Sequence, residues 1–292
     1  EALASLGLLA EAGAAFVSQG RRAVRNAQVL RRALTYARAF GLLVDHQPHD
    51  PDLVGDGVMN EGEVSTRLGL PGIPREAETI MAARDVALAR LTDGRLHLSG
   101  LTCADSLAVL RAARRQGLDV TGAASINHLA LNENDIGAYR TFFKMMPPLR
   151  AEDDRQALVE GLADGTLDIL VSAHDPQDAD TKRHPFAEAA DGAVGLETLL
   201  SVGLRLVEDG SVPLRALLAA LTINPARRLG LPQGRLAKGA PADLILVDLG
   251  APYVLDADAL RSRSKNTPFD KARLQGRVMR SFVAGQEVFA RV

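Results

Sequence analysis

Short apolar runs alternate with longer helical segments over most of the chain, and this alternation limits the fold more than any other feature. The pattern is typical of β/α units around a parallel sheet. Two of the apolar runs are almost uninterrupted, as expected for strands buried on both faces. Five strands are predicted, at residues 15–17, 42–45, 95–99, 119–123 and 167–172. Longer helices are predicted at residues 23–40, 104–116, 151–163 and 194–208.

The number of strands bears on whether the sheet is open or closed. A parallel barrel closes with eight strands, whereas an open sheet of five would expose long unpaired edges. Residues 1–13 form a helical pattern with no strand before it. We therefore expect an α/β fold, a (β/α)8 TIM-type barrel, in which residues 1–232 supply strands four to eight and three N-terminal strands are missing from this sequence.

The C-terminal part of the chain has a different composition. From Gly234 onward, glycine, proline and β-branched residues replace the alternating pattern. Strands are predicted at residues 243–248 and 277–283. We expect a small appended β-sandwich part over residues 233–292, with the boundary near residue 232.

Charge and cysteine content narrow the classes of partner and compartment. The 34 basic and 36 acidic residues are spread along the chain, so no basic stripe for nucleic acid is expected. No apolar run approaches the length of a membrane span. The single cysteine, Cys103, fits a reducing cytoplasm. Neither nucleic acid nor membrane is predicted as a partner, and a homo-oligomer remains open.

Several loop motifs carry a family resemblance. Residues 59–63 read MNEGE, residues 67–74 read RLGLPGIP, and residues 265–269 read KNTPF. PPLR at 147–150 and GLET at 195–198 lie between them in the order that the family uses. In these segments the chain resembles dihydroorotases of the multidomain and bacterial class I type, in the amidohydrolase superfamily. The alternative is an unrelated β/α barrel with loops rich in glycine and proline.

The resemblance implies a zinc-dependent cyclic amidohydrolase that interconverts carbamoyl aspartate and dihydroorotate in pyrimidine biosynthesis. Such chemistry needs histidine and carboxylate ligands around zinc to form a hydroxide at neutral pH, and a further carboxylate to move the proton. In a barrel these groups belong at the C-terminal ends of the strands, where several strands direct side chains at one point.

The metal positions implied by the resemblance are largely substituted. The bridging acid after strand four is replaced by Gln19, whose neutral amide bridges zinc ions poorly. His46 after strand five matches a metal-binding histidine, although a buried, hydrogen-bonded histidine is an equal alternative. Strand six has Gly100 at its ligand position, and His97 lies at an odd offset from it, so it should face the other way.

The base and substrate positions are also substituted. Ala173 occupies the position of the catalytic aspartate, and alanine cannot move a proton. Asp175, two residues further on, is a weaker alternative base. The positions that the resemblance assigns to substrate contacts hold Met146, Gln177, Asp191 and Gly192.

These substitutions together favour a catalytically inactive member, a pseudoenzyme, although its status as an enzyme stays open. By analogy with inactive relatives, we expect a structural or regulatory partner of aspartate transcarbamoylase, the enzyme of the preceding step. The alternative is an active zinc-dependent dihydroorotase with a rebuilt metal site that uses His46 and Asp175.

Overall fold

The computed structural model describes residues 3–291. Its strands are β1 Phe16–Ser18, β2 Leu43–His46, β3 Met59–Asn60, β4 Gly72–Ile73, β5 Leu96–Leu98, β6 Val120–Ser125, β7 Ile169–Val171, β8 Leu244–Val254, β9 Arg273–Val283 and β10 Gln286–Ala290. Its α-helices are α1 Leu6–Glu11, α2 Ala27–Ala39, α3 Pro51–Val54, α4 Glu63–Leu68, α5 Glu76–Thr92, α6 Ala104–Arg115, α7 Ile126–Ala130, α8 Glu152–Ala163, α9 Leu199–Glu208, α10 Leu214–Leu221 and α11 Ile223–Leu229.

A five-stranded parallel sheet forms the centre of the fold, in the order β1-β2-β5-β6-β7. The five strands lie where the alternating pattern places them, with limits that differ by a few residues. Leu96 and Leu98 of β5 are completely buried, as expected for a central strand covered by helices. The α/β class and the parallel sheet are therefore confirmed.

The long helices pack on this sheet and bury their leucine and alanine side chains. Helix α2 starts where the Asn26 side chain accepts hydrogen bonds from the backbone N–H groups of Gln28 and Val29, at 2.8 and 3.3 Å. It packs against α5, which packs in turn against α6. The 17-residue helix α5 was not among the predicted helices.

The prediction of a helix over residues 194–208 is wrong in its first turn, because α9 begins at Leu199. The preceding residues are held in an extended connection. The carbonyl of Ala193 accepts a hydrogen bond from the N–H of Asp175 at 2.8 Å, and the N–H of Val194 donates to the carbonyl of Asn266 at 3.1 Å. These long-range bonds hold residues 193 and 194 extended, and residues 196–198 form a turn before the helix begins.

The segment with the MNEGE and RLGLPGIP motifs forms a small unit of its own. Strands β3 and β4 pair in parallel and flank α4. At Gly72 a β-carbon would lie 2.5 Å from the Cα of Glu61, so the close approach of the two segments requires glycine here.

The C-terminal residues form a three-stranded antiparallel sheet in the order β10-β9-β8. The predicted boundary near residue 232 lies in the connection between α11 and β8. Strand β9 packs against α9 of the preceding part. Several apolar side chains of this sheet are half-exposed or more, among them Ile245, Val254, Val283 and Val288. Among the described residues, the C-terminal part forms one sheet and no second sheet that packs on it as a sandwich. The sandwich and the domain limits therefore remain predictions.

Within residues 3–291, no helix is both long enough and apolar enough to cross a membrane.

Candidate active site

The four positions that the resemblance assigns to metal and base lie at the C-terminal ends of the parallel strands. Gln19 directly follows β1, and His46 is the last residue of β2. Gly100 and Ala173 each lie two residues beyond the end of β5 and β7. Because parallel strands end at one edge of a sheet, the structure places all four positions on the same side of the molecule.

His46 is buried and uses both of its ring nitrogens in hydrogen bonds. Its Nε2 accepts a hydrogen bond of 2.8 Å from the backbone N–H of Val24. Nδ1 therefore carries the proton, and it donates to the Asp85 carboxylate at 2.6 Å. Asp85 lies on α5, is fully buried and also accepts hydrogen bonds from Arg84. This geometry supports the hydrogen-bonded alternative for His46 over the metal-ligand one.

A row of polar side chains crosses the sheet one residue before this edge. Ser18, Asp45, His97 and Thr121 are register partners on β1, β2, β5 and β6. The Ser18 hydroxyl donates to Asp45 at 2.8 Å, and the Nδ1 of His97 lies 2.7 Å from the Thr121 hydroxyl. Burial lowers the pKa of His97 to about 4, although the Asp45 carboxylate acts in the opposite direction. His97 is therefore neutral at pH 7 and belongs to this row.

Sequence reasoning missed Ser18, Asp45 and Thr121 as members of a common row. Each lies in a short strand that is mostly apolar, and only strand pairing shows that they are neighbours. The odd offset of His97 from Gly100 was the one signal that pointed to this arrangement, because side chains alternate along a strand.

Ala173 and Gly100 both have a left-handed backbone, with φ of 44° and 68°. At Gly100 a β-carbon would lie 3.5 Å from the Gln47 side chain, which is ordinary contact. A left-handed backbone favours glycine, and among the other residues it accepts aspartate, asparagine and histidine more readily than alanine, so the backbone does not account for alanine at position 173.

Asp175 forms an ion pair with Arg21, whose guanidinium lies 2.7 Å from the carboxylate. The same carboxylate packs against the backbone of Gly192, where φ is 109° and a β-carbon would overlap the Asp175 side chain. Asp175 is therefore held by a cation on one side and by Gly192 on the other.

Two buried lysines hold the loop that precedes Asp191. The Nζ of Lys144 donates to the carbonyls of Ala187 and Ala189 at 2.9 and 2.7 Å. The Nζ of Lys182 donates to the carbonyl of Ala190 at 2.6 Å. Burial lowers the pKa of Lys182 to about 8, and burial raises the pKa of Asp191, whose carboxylate lies 4.0 Å from Lys144. Asp191 thus lies in a basic environment in the protein interior.

Asn266 of the KNTPF motif connects the remaining substrate positions. Its Nδ2 donates to the carbonyls of Asp175 and Gly192, both at 3.1 Å, and its Oδ1 accepts from the N–H of Gln177 at 3.2 Å. Met146 is half-buried and directly precedes Pro147. The motif therefore holds the loop after β7 in place by backbone hydrogen bonds.

The other motif residues form a buried polar network. Arg150 of PPLR donates through Nη1 to Asn60 of MNEGE at 3.0 Å and to the carbonyl of Ile73 at 2.8 Å. Its Nε donates to the Thr102 hydroxyl at 3.1 Å, and Asn60 donates to Glu133 at 2.9 Å. These bonds connect five segments of the chain, so the motifs that carry the resemblance support the architecture.

The side chains at the predicted metal positions fit zinc poorly. Gln19, Gly100 and Ala173 offer neither imidazole nor carboxylate, and both nitrogens of His46 are engaged. Among the described residues 3–291, no three histidine, cysteine, aspartate or glutamate side chains come together as a metal-binding group. Zinc sites in proteins take three or four such ligands.

Comparison with known proteins places the chain in a family. Residues 89–288 match the amidohydrolase family, and residues 1–106 match the dihydro-orotase-like family. A protein named dihydroorotase from Anaeromyxobacter sp. strain K is 48% identical over 290 residues, which cover 99% of this chain and 67% of that protein. A dihydroorotase from Syntrophotalea carbinolica is 43% identical over 286 residues, covering 98% of this chain and 67% of the relative.

The solved structures agree on the fold. The L-hydantoinase of Arthrobacter aurescens matches with a TM-score of 0.86 at 23% identity, over 98% of this chain and 68% of that one. The dihydropyrimidinase of Brevibacillus agri NCHU1002 matches with a TM-score of 0.80 at 22% identity, over 91% of this chain and 60% of that one. The chain belongs to the amidohydrolase family. Within that family it is dihydroorotase-like, and it spans about two thirds of the length of these relatives.

Proposed function

We propose that this chain is part of a dihydroorotase-like (β/α)8 barrel protein of pyrimidine biosynthesis that does not hydrolyse the ring amide. One observation carries the proposal: Ala173 occupies the base position, while both ring nitrogens of the single matching histidine, His46, are engaged by Val24 and Asp85. Ring-amide hydrolysis needs an activated water and a group that transfers its proton. The described residues at these positions provide neither.

The barrel part of the proposal rests on strand order and loop contacts. The strands β1, β2, β5, β6 and β7 are parallel neighbours, as strands four to eight of a barrel would be. The ion pair between Arg21 and Asp175 connects the loops that follow the two edge strands, which favours a curved sheet. A barrel and its β-sandwich would be completed by segments present in the longer relatives.

The role we propose is that of a structural or regulatory partner of aspartate transcarbamoylase. Loss of catalytic side chains leaves the core and the outer helices intact, so a docking surface can persist after the chemistry has gone. The buried hydrogen bonds of Arg150 and Asn266 connect distant loops, which supports retention of the architecture.

The alternative is an active zinc-dependent dihydroorotase with a rebuilt site, and the names of relatives up to 48% identical favour it. In that case Asp175 would act as the base. To do so, the Asp175 carboxylate would have to break its ion pair with Arg21. One ring nitrogen of His46 would have to give up its hydrogen bond to Asp85 or Val24 in order to bind the metal.

The zinc content and the turnover of the full-length protein distinguish the inactive protein from the active zinc-dependent dihydroorotase. We expect much less than one zinc per chain after dialysis, and background rates with both carbamoyl aspartate and dihydroorotate. The variant Ala173→Asp alone should stay inactive, because Gln19 and Gly100 still lack ligands. One tightly bound zinc with measurable turnover would establish the active alternative.

Sedimentation velocity tests whether the full-length protein binds aspartate transcarbamoylase. Full-length protein and aspartate transcarbamoylase, mixed at micromolar concentration, should sediment together faster than either one by itself. If the two proteins sediment independently, the proposed partner role is wrong. That result would not bear on the proposed loss of hydrolysis.

A further inference from the structure

A groove of about 720 Å³ lies between helix α9 and the C-terminal three-stranded sheet. Its walls include Ser201 on α9, Tyr253 at the end of β8, and Phe289 on β10. The size is that of sites that hold metabolite-sized ligands. The groove is separate from the C-terminal edge of the parallel sheet, where the positions of the predicted metal and base lie.

Three arginines converge on this groove, and each lies against an aromatic ring. The Cζ of Arg277 is 4.2 Å from the centroid of Tyr253. The Cζ atoms of Arg261 and Arg291 are 5.1 and 5.8 Å from the centroid of Phe289. Contact with an aromatic face restrains a guanidinium without using its N–H groups as donors. The Nε of Arg291 also donates to the carbonyl of Val278 at 3.2 Å.

Within residues 3–291, these three guanidiniums have no aspartate or glutamate partner. Within the described part of the chain, no Asp or Glu oxygen lies within 4.0 Å of their nitrogens. The Nε of Arg277 is buried and has no hydrogen-bond acceptor among these residues. Like charges gathered without counter-ions repel one another, and a bound anion would remove that cost.

The two carboxylates of the groove are already engaged elsewhere. Glu197 accepts hydrogen bonds from the backbone N–H groups of Arg261 and Ser262, at 2.8 and 3.2 Å. Asp256 is paired with Lys271 at 3.0 Å. Among the described residues, the groove therefore carries more positive than negative charge, because Asp256 is balanced by Lys271 and only Glu197 offsets the three arginines.

The walls of the groove are tied together before any ligand binds. The Tyr253 hydroxyl donates to the Ser201 hydroxyl at 2.9 Å, and Ser201 donates to the carbonyl of Gly276 at 2.7 Å. Gly276 precedes Arg277 on β9, so these bonds fix the strand that carries the most buried of the three arginines. Such preorganisation reduces the entropy lost on binding.

We propose that this groove binds a small organic polyanion through Arg261, Arg277 and Arg291. Phosphate and carboxylate groups both match the planar guanidinium in a bidentate way, so the shared chemistry is two or more such groups on one metabolite-sized molecule. The inference is independent of the proposed loss of hydrolysis.

Calorimetric titration of the full-length protein tests this, with inorganic pyrophosphate in one arm and citrate in the other. We expect binding of at least one of them, and the stronger arm identifies a phosphate or a carboxylate ligand. Arg277→Ala should weaken that binding by about tenfold, because a charged hydrogen-bond pair is lost. The matched control is Arg280→Ala, on the same strand, since Arg280 pairs with Glu287 at 3.4 Å and lies outside the groove.

Arg291→Ala provides a second variant at an exposed position, where folding is least affected. It should weaken binding severalfold while the thermal unfolding of the free protein stays unchanged. The proposal is overturned if neither anion binds at millimolar concentration. It is equally overturned if Arg277→Ala and Arg280→Ala change the affinity by the same factor.

Discussion

The guanidinium of Arg21 lies 2.7 Å from the carboxylate of Asp175, and this ion pair joins the loops that follow β1 and β7. These strands are the two edges of the five-stranded sheet. In a flat sheet the edges would be about 19 Å apart, since neighbouring strands are spaced by about 4.8 Å. Direct contact between their loops therefore favours a curved sheet.

Arg21→Ala should lower the free energy of unfolding only slightly. The Arg21 side chain is 59% exposed, so solvent and salt screen the pair, and the loss should be below about 1 kcal/mol. Urea denaturation at low and high salt measures it, with the exposed neighbour Arg22→Ala as the control. A loss that persists in high salt would contradict this account of an exposed ion pair.

His46→Ala should be strongly destabilising and should leave the zinc content unchanged. The substitution removes one partner of the fully buried Asp85 carboxylate, which keeps Arg84, leaves the N–H of Val24 without its acceptor and opens a cavity, so we expect a loss of about 2–4 kcal/mol. The exposed Gln19→Ala serves as the control and should stay within about 0.5 kcal/mol of the parent. Zinc analysis of the same samples completes the test, because a drop in bound zinc on removal of His46 would show that it is a ligand.

The free energy of unfolding should depend on pH in a way that reflects the protonation of His97. Its pKa is about 4 in the folded protein and 6.5 in the unfolded chain, so the unfolded state binds more protons between these values. The stability that follows from keeping His97 neutral is present above pH 6.5 and is lost as the pH falls towards 4. In His97→Gln, the free energy of unfolding should change less between pH 4 and 6.5 than in the parent. The upper limit of this difference is about 1.4 kcal/mol for each unit by which the pKa of His97 is lowered.

Urea unfolding at several pH values between 4 and 7.5 provides the curve. The buried His49, with a pKa of about 4, contributes to the same window, so the slope should fall in His97→Gln without disappearing. The exposed His184→Gln is the matched control. An identical slope in the parent and in His97→Gln would rule out a buried neutral His97.

Part of this arrangement could be predicted from the sequence. The alternation of apolar runs and helices places the five strands, and the ends of those strands then locate Gln19, His46, Gly100 and Ala173 at one edge. The partners of His46 could not be predicted, because Asp85 lies 39 residues away on a helix that the pattern did not reveal. The row of polar side chains that contains His97 could not be predicted either, because it forms only when the strands pair.

The first turn of the predicted helix at residues 194–208 shows another limit. Local periodicity favours a helix there, but hydrogen bonds to Asp175 and Asn266 hold the backbone extended. Those partners are distant in sequence, so the tertiary contacts decide the local structure.

Asn266→Ala should loosen the loop after β7. Three hydrogen bonds of the Asn266 side chain would be lost, and the buried carbonyl of Gly192 would lose its donor. We expect a loss of about 2–3 kcal/mol in the free energy of unfolding, together with faster hydrogen exchange of the Gln177 N–H. Asn134→Ala, in an exposed turn, is the control. Unchanged exchange at Gln177 would contradict this positioning role.

The rate of dihydroorotate hydrolysis by the full-length protein with added zinc tests the loss of hydrolysis most directly. The account predicts a rate equal to that of zinc in buffer, because Ala173 cannot transfer a proton and the nitrogens of His46 are held by Val24 and Asp85. A zinc-dependent rate that is clearly above this background and saturates with substrate would contradict the account.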